Sequence, residues 1–170
     1  MRPLALLLIS LSILPARAGA QSAWDLGKQI AGGAASSKLE KEINKRLLAE
    51  SRKNQCSFKT DTDELMPGCD PKARKLANAL VDAKRRLEAA GVRSFKFEVS
   101  GHTDSSGSAA HNRELSQRRA DRMKTELVAK GVPAGDVVAV GVGSERPLVK
   151  PDNTPAKKAR NRRYEVQLRL

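Results

Sequence analysis

The residues of this chain best suited to act together are an aspartate and an arginine. Asp104 closes a Gly-His-Thr-Asp stretch after an alternating apolar segment, and Arg119 lies on the helix predicted next. Because each residue of an α-helix advances about 100° around the axis, Arg119 lies about 40° from Leu115, inside the apolar stripe of that helix. The neighbouring arginines of the same helix point towards water. Arg119 is therefore predicted to face inwards.

An inward-facing arginine needs either a carboxylate partner or a place at the edge of a pocket, because burying an unpaired charge is costly. Asp104 is the nearest carboxylate that could serve. Two uses of the pair stay open. It could be a buried ion pair that only holds the helix to the sheet. Alternatively it could grip a small zwitterion, with the carboxylate taking an ammonium and the guanidinium holding a carboxylate through two parallel hydrogen bonds.

The elements that position this pair alternate between strands and helices, which predicts an α/β fold, a two-layer sandwich of a mixed β-sheet with helices on one face. An alternation of apolar and polar residues, as in 95–100, is typical of a half-buried strand. The predicted elements are a strand over 57–60, a helix capped by Asp70 and ended by Gly91, a strand over 95–100, a helix from about Ala109 to Lys130, a strand over 137–142, a loop through Asn153 and a last strand over 164–168.

Residues 21–55 differ from the rest and are predicted to be a linker with an amphipathic helix over 38–52. Leu39, Ile43 and Leu47 recur there at steps of four among many charges, which indicates a narrow apolar stripe. The stripe could pack on the domain over 56–170, pair with a second copy, or contact an envelope protein or a membrane surface. A tethering helix is the simplest of these interpretations.

Residues 1–20 have the pattern of a secretory signal peptide. Arg2 precedes an apolar run from Leu4 to Leu14, and Ala18-Gly19-Ala20 follows as a cleavage site. The run is shorter than the roughly 20 apolar residues of a membrane helix. No cysteine stands at the cleavage point to carry a lipid anchor. We therefore expect an exported, periplasmic protein with no transmembrane segment in its mature chain.

The cysteines support an oxidising compartment. Cys56 and Cys69 are the two cysteines of the chain, and in an exported protein they are expected to form a disulfide. A bridge of this span stabilises a small domain by about 3 kcal/mol in the chain-entropy model. His102 and His111 flank Asp104, but no further ligand has the spacing of a zinc site, so neither a metal nor a cofactor is predicted.

The chain is strongly basic, which indicates an anionic partner or neighbouring surface. Its formal net charge of +13 falls to +11 when Arg2 and Arg17 leave with the signal segment. Nucleic acid is not the expected partner, because the protein is exported. The chain also has one Trp, one Tyr and three Phe, too few for a base-stacking platform.

Several motifs follow one another in a family-specific order. They are residues 97–107 (FEVSGHTDSSG), Asn112, Leu115-Ser116, Arg119-Ala120, residues 141–147 (GVGSERP) and Asn161-Arg162-Arg163. Together they resemble the OmpA-like peptidoglycan-binding domain of outer-membrane porins, Pal-type lipoproteins and flagellar stator subunits. The resemblance covers roughly Cys56 to Leu170.

This resemblance implies non-covalent binding of the peptide stem of the cell wall through diaminopimelate. The family's aspartate and arginine match Asp104 and Arg119, and its supporting contacts resemble Ser106, Asn112 and Arg162. The free end of diaminopimelate carries an ammonium and a carboxylate on one carbon, which suits an acid and a base. The resemblance also places the protein in the envelope of a Gram-negative bacterium, near the outer membrane or the wall.

One departure from the family pattern and three other functions stay open. Lys157-Lys158 stand where the family usually has Gly-Arg, so one arginine contact of the family is in doubt. The first alternative is a basic interaction subunit in which the Asp104–Arg119 pair is only structural. A nucleic-acid binder and an enzyme of wall metabolism are the other two, but no catalytic motif is present, and we expect no enzyme.

Overall fold

The computed structural model describes the backbone of residues 23–170 and the side chains from residue 35 onwards. The predicted signal peptide at 1–20 lies outside these residues. Residues 34–170 form one compact unit, and every contact described below lies within it. The elements are α1 (Ala23–Lys53), α2 (Cys69–Ala89), β1 (Lys96–His102), α3 (Ala109–Ala129), a 3-10 turn (Ala134–Asp136), β2 (Val137–Gly143), α4 (Pro155–Asn161) and β3 (Arg163–Arg169).

The sheet has three strands in the order β2-β1-β3, with β1 parallel to β2 and antiparallel to β3. One face carries Phe97, which stands opposite Val137 on one side and Leu168 on the other, and all three are buried. The other face is more open, since Val138 and Val140 are exposed. The predicted α/β class, a mixed sheet with its helices on one face, is confirmed.

The core lies between this buried face and the helices. Leu76 and Leu80 of α2 and Met123 and Leu127 of α3 are fully buried with it. Ile43 and Leu47 of α1 join the same cluster, and Leu39 packs against it. The apolar stripe predicted over 38–52 is therefore covered by the domain. None of the helices in the described part of the chain is long and apolar enough to cross a membrane.

The strand predicted over 57–60 is wrong. This segment forms a single isolated bridge, between Phe58 and Leu65, and joins no sheet. The outer edge of β3 is instead covered by two amide side chains. Asn44 donates to the carbonyl of Leu168 and accepts from its N–H, at 3.1 and 2.6 Å. Gln55 does the same for Tyr164, at 2.7 and 3.1 Å.

The outer edge of β2 has a matching cover from α3. The amide of Gln117 donates to the carbonyl of Ala139 at 3.3 Å and accepts from the N–H of Gly141 at 2.6 Å. Both edges of the small sheet are thus occupied by side-chain amides. Such cover satisfies backbone groups that would otherwise be a template for another chain.

Two further local predictions are corrected. Asp70 is not the N-cap of α2, because that helix begins at Cys69, after Gly68 in the left-handed conformation at φ 86° and without a side-chain cap. Asp70 instead pairs with Lys130 at 2.8 Å. The loop predicted before β3 contains the short helix α4, whose start is marked in the sequence by Thr154, which caps it, and by a proline in its first turn.

The predicted disulfide between Cys56 and Cys69 is confirmed, with Cα atoms 4.9 Å apart. It closes a loop whose residues 57–66 are called the strap below. The strap folds back on itself, since the N–H of Lys59 donates to the carbonyl of Glu64 and the N–H of Met66 to that of Ser57, both at 2.9 Å. This small hairpin replaces the missing strand.

Candidate functional site

An open groove of about 1160 Å³ lies beside the end of β1 and the start of α3. The structure brings to it all of the residues predicted for the site, which are Asp104, Ser106, Asn112, Arg119 and Arg162. They come from three parts of the chain, the loop after β1, the inner face of α3, and the end of α4. The strap forms a further wall of the groove through Phe58 and Asp61.

Close packing of α3 on the sheet fixes where these side chains stand. A Cβ at Gly141 would lie 2.6 Å from the backbone nitrogen of Gln117, and one at Gly101 would collide with the carbonyl oxygen of Ser116. Glycine is therefore required at both strand positions. The helix begins at an N-cap, Ser108, whose side chain accepts from the N–H of His111 at 3.2 Å. The short loop between β1 and this cap carries Asp104 and Ser106.

The carboxylate of Asp104 is paired with Arg162 and not with Arg119. Its Oδ2 accepts from Nη1 of Arg162 at 2.7 Å, and its Oδ1 accepts from the N–H of Ser106 at 2.9 Å. The prediction that Arg119 is its partner is wrong, and so is the alternative of a purely structural Asp104–Arg119 bridge. Each oxygen keeps a lone pair for another donor. Asp104 can therefore still accept from a ligand ammonium.

The same contacts keep Asp104 ionised. Burial by itself would raise the pKa of this carboxyl, but the hydrogen bonds from Arg162 and Ser106 outweigh burial and hold the pKa below its usual value. The carboxylate form is therefore the one present at neutral pH.

Arg119 is 7% exposed and reaches the strap. Its Nε donates to the carbonyl of Thr62 at 2.9 Å and its Nη2 to that of Lys59 at 3.2 Å. The guanidinium also lies over the ring of Phe58, 5.0 Å from its centre, a distance at which a cation–π attraction is significant. Burial, with the positive charge of Arg162, lowers the pKa of Arg119. Guanidinium remains charged at any physiological pH.

The strap takes only one side of this guanidinium. Arginine has five N–H donors in a planar fork. The carbonyls of Thr62 and Lys59 use the edge formed by Nε and Nη2. The edge formed by Nη1 and the second hydrogen of Nη2 has no hydrogen-bond partner among the residues that the structure describes. That edge has the geometry for two parallel hydrogen bonds to a carboxylate.

The loop around Ser106 is held by its neighbours. The amide of Asn112 donates to the carbonyl of Ser106 at 2.8 Å, so Asn112 fixes the loop that carries Asp104. Lys158 donates to Oγ of Ser106, also at 2.8 Å. Lys158 lines the groove, whereas Lys157 turns to Asn153 at 3.1 Å. Only one of the two adjacent lysines stands at the site.

A buried carboxylate that the sequence interpretation missed supports the same loop from behind. Asp152 accepts from the N–H of Ser105 at 2.9 Å, from the hydroxyl of Ser105, and from the amide of Asn161 at 3.0 Å. These hydrogen bonds, led by those from Ser105 and Asn161, lower the pKa of Asp152 to about 2. No spacing rule links residues 105 and 152, so only the fold reveals this contact.

The two histidines have separate environments. His102 is the last residue of β1, and its Nε2 lies 3.3 Å from Oγ of Ser100. Burial, with the nearby charge of Arg163, lowers the pKa of His102 to about 4, so the ring is neutral at pH 7. His111 lies at the rim, and its Nε2 is 2.6 Å from Oδ1 of Asp61. The strap is thus tied to α3 at a second point.

The groove is cationic. Its lining includes six basic side chains and two carboxylates: Arg52, Arg119, Lys158, Arg160, Arg162 and Arg163 against Asp61 and Asp104. Glu165, which does not line the groove itself, neutralises part of this charge by pairing with Arg52 at 3.4 Å and with Arg163 at 2.9 Å. A surplus of positive charge remains. The arrangement fits a ligand with one ammonium and more than one carboxylate.

The chain is similar to proteins of a known family. A model described as the OmpA family matches residues 57–162. Outer membrane porin F of Pseudomonas fluorescens is 53% identical over 72 residues, which are 42% of this chain and 22% of the porin. The peptidoglycan-associated lipoprotein of Pasteurella multocida is 50% identical over 54 residues, which are 32% of this chain and 36% of the lipoprotein. The chain thus spans well under half the length of either relative.

A solved structure shares the fold. The crystal structure of the peptidoglycan-associated lipoprotein from Burkholderia pseudomallei superposes with a TM-score of 0.56 at 23% identity, over 68% of this chain and 89% of that one. At this level of identity the likeness is one of fold. It agrees with the mixed α/β architecture described above.

Proposed function

Because the chain belongs to the OmpA family, we propose that it binds peptidoglycan non-covalently, through the diaminopimelate of the stem peptide. The observation that carries this proposal is the presence, in one groove, of the ionised Asp104 and of a guanidinium, Arg119, whose outer edge has no partner among the described residues. The printed name of one relative, a peptidoglycan-associated lipoprotein, supports the ligand class.

The binding mode follows from the donors and acceptors of the groove. The ligand ammonium donates to the remaining lone pairs of Asp104. The carboxylate on the same carbon accepts two hydrogen bonds from the free edge of Arg119. Arg162, 45% exposed at its side chain, and Lys158 supply further positive charge for the other carboxylates of a stem peptide.

In this mode the protein binds its ligand without catalysing a reaction. No catalytic group or cofactor is needed for the contacts described, and the domain over 56–170 would act as the binding module in the periplasm after export. The basic surface is suited to the anionic wall and to the head groups of the outer membrane.

A sedimentation assay with purified cell walls tests the proposal. Asp104→Ala and Arg119→Ala should each lower the affinity by about 30-fold or more, because each leaves an opposite charge of the ligand unpaired in the groove. Arg122→Ala is the matched control, since Arg122 lies on the same helix but pairs with Glu126 at the surface, at 2.9 Å. That variant should sediment as the unmodified protein does.

Competition identifies the ligand group. A diaminopimelate-containing stem peptide should release the protein from the walls. The same peptide with lysine in place of diaminopimelate should not, because the free end of its lysine side chain carries an ammonium without a carboxylate. Retention of both site variants on the walls would overturn the assignment of the groove. Release of the protein by salt alone, with no dependence on Asp104, would indicate polyanion binding instead.

A further inference from the structure

The strap has no place in the sheet, yet it makes specific contacts with α3. Its Lys59 and Thr62 carbonyls accept from Arg119, and its Phe58 ring lies under the same guanidinium. Asp61, at the tip of the strap, lies 2.6 Å from His111, about two turns before Arg119 in α3. The strap is therefore held against the helix that supplies the arginine of the proposed site.

The orientation of Arg119 depends on these contacts. An arginine side chain has many rotamers, and fixing one of them costs conformational entropy. Two carbonyls aligned on one edge, with an aromatic ring beneath the plane, restrain both the position and the tilt of the guanidinium. With that edge held by the strap, the opposite edge is directed away from it. A ligand carboxylate then meets a donor pair that is already oriented, which lowers the entropy cost of binding.

The disulfide is the covalent part of this arrangement. Cys56 is 6% exposed and its N–H donates to the hydroxyl of Tyr164 at 3.3 Å, while Cys69 is the first residue of α2. Both ends of the loop are thus anchored in the core without the bond. Breaking the bond removes a restraint on the strap, whereas the core of α2, α3 and the sheet keeps its contacts.

We propose that the strap, closed by the Cys56–Cys69 disulfide, is a positioning device that presents the free edge of Arg119 to the ligand carboxylate. This inference rests on the proposed function for the identity of the ligand. Loss of the disulfide weakens ligand binding through Arg119, and it does so while the domain remains folded. Phe58 belongs to the same device, because its ring supports the guanidinium from below.

Calorimetric titration with a diaminopimelate-containing stem peptide tests the device. The double variant Cys56→Ser, Cys69→Ser should bind about tenfold more weakly than the unmodified protein. In an Arg119→Lys background the same double change should alter the affinity less than about twofold. The reason is that the disulfide can affect binding through Arg119 only while that arginine is present. Phe58→Ala should weaken binding in the same direction. Val138→Ala, which shortens an exposed side chain on the open face of the sheet, should not.

A second measurement reads the contact without any ligand. The Nε–H of Arg119, bonded to Thr62 in the oxidised protein, should give a slowly exchanging side-chain signal in a ¹⁵N-resolved NMR spectrum. Reduction should abolish this signal while the amide signals of α2 and of the sheet persist. Arg119→Lys assigns the signal by its absence.

The outcomes separate the two proposals. If the oxidised protein fails to bind the peptide, the proposed function is wrong, and the Nε–H signal still tests the strap. If the oxidised protein binds and the folded double variant binds equally well, the strap does not position Arg119. Persistence of the Nε–H signal after reduction would contradict the inference in the same way. An equal loss of affinity with Arg119 intact and in the Arg119→Lys background would show that the disulfide acts by another route.

Discussion

At the scale of single residues, hydrogen-bond partners determine which side chains remain free for a ligand. Asp104 is neutralised on one side by Arg162, and Arg119 is held on one side by carbonyls of the strap. Each therefore keeps one face for an incoming group. Had the two paired with each other, as their spacing suggests, the site would be a closed ion pair with little left to offer.

The adjacent lysines of α4 provide a prediction at this scale. Lys158→Met should weaken binding of a stem peptide by about two- to fivefold, the range expected for one exposed ion pair. Lys157→Met should have no measurable effect, because Lys157 turns to Asn153 and does not line the groove. Calorimetry on both variants checks this. Equal losses would mean that the two lysines act only through net charge.

At the scale of elements, the seating of α3 on the strands positions most of the site. The helix lies so close to the sheet that Gly101 and Gly141 leave no room for a side chain. Its polar edge, through Gln117, also covers the outer edge of β2. The helix therefore serves the fold and the groove at once, because Asn112 and Arg119 lie on its inner face.

A substitution at the contact between α3 and the sheet should affect both the stability of the fold and ligand binding in the groove. Gly141→Ala should lower the free energy of unfolding by about 1–3 kcal/mol, the usual cost of overpacking, and should weaken ligand binding because the helix that carries Arg119 must shift. Gly135→Ala is the control, since a Cβ there would meet nothing within 4 Å. Urea denaturation and calorimetry report the two effects. Normal stability of Gly141→Ala would show that the sheet adapts without cost.

At the scale of the whole molecule, burial of an ionisable group links stability to pH. The pKa of His102 is lowered by burial from 6.5 to about 4. The unfolded chain therefore binds a proton between these values that the folded protein does not, and the stability contributed by the neutral ring falls as the pH drops from 6.5 towards 4. Above pH 6.5 this contribution is fully present.

Urea denaturation between pH 4 and pH 7 tests this dependence of stability on pH. The free energy of unfolding of the unmodified protein should fall between pH 7 and pH 4, and His102→Gln should flatten this dependence. Lys157→Gln is the control, because Lys157 turns to Asn153 at the surface and does not line the groove, and its variant should retain the slope. A slope that survives in His102→Gln would assign the effect to other groups.

Periodicity is sufficient to predict most of the elements. The phase of α3 places Arg119 on the inner face, and alternation locates β1 and β3, because burial on one side of an element leaves a repeat in the sequence. It does not predict the structure of residues 57–60, because four residues with one apolar side chain, Phe58, are too few to distinguish a strand from an isolated bridge. The outer edge of β3, which a further strand could have joined, is covered by the side chains of Asn44 and Gln55.

The fold class, the disulfide partners and five of the residues that meet in the groove can be read from the order of amino acids, since they depend on local periodicity, on there being two cysteines, and on motif order. The contribution of the strap to the groove cannot be read in this way. Which groove residues pair with one another cannot be read from the sequence, because only the folded chain brings the partners together. Arg162 reaches Asp104 from α4, and the strap reaches Arg119 through backbone carbonyls. A carbonyl oxygen is present at every position of a chain, so no residue type marks the ones that will face an arginine.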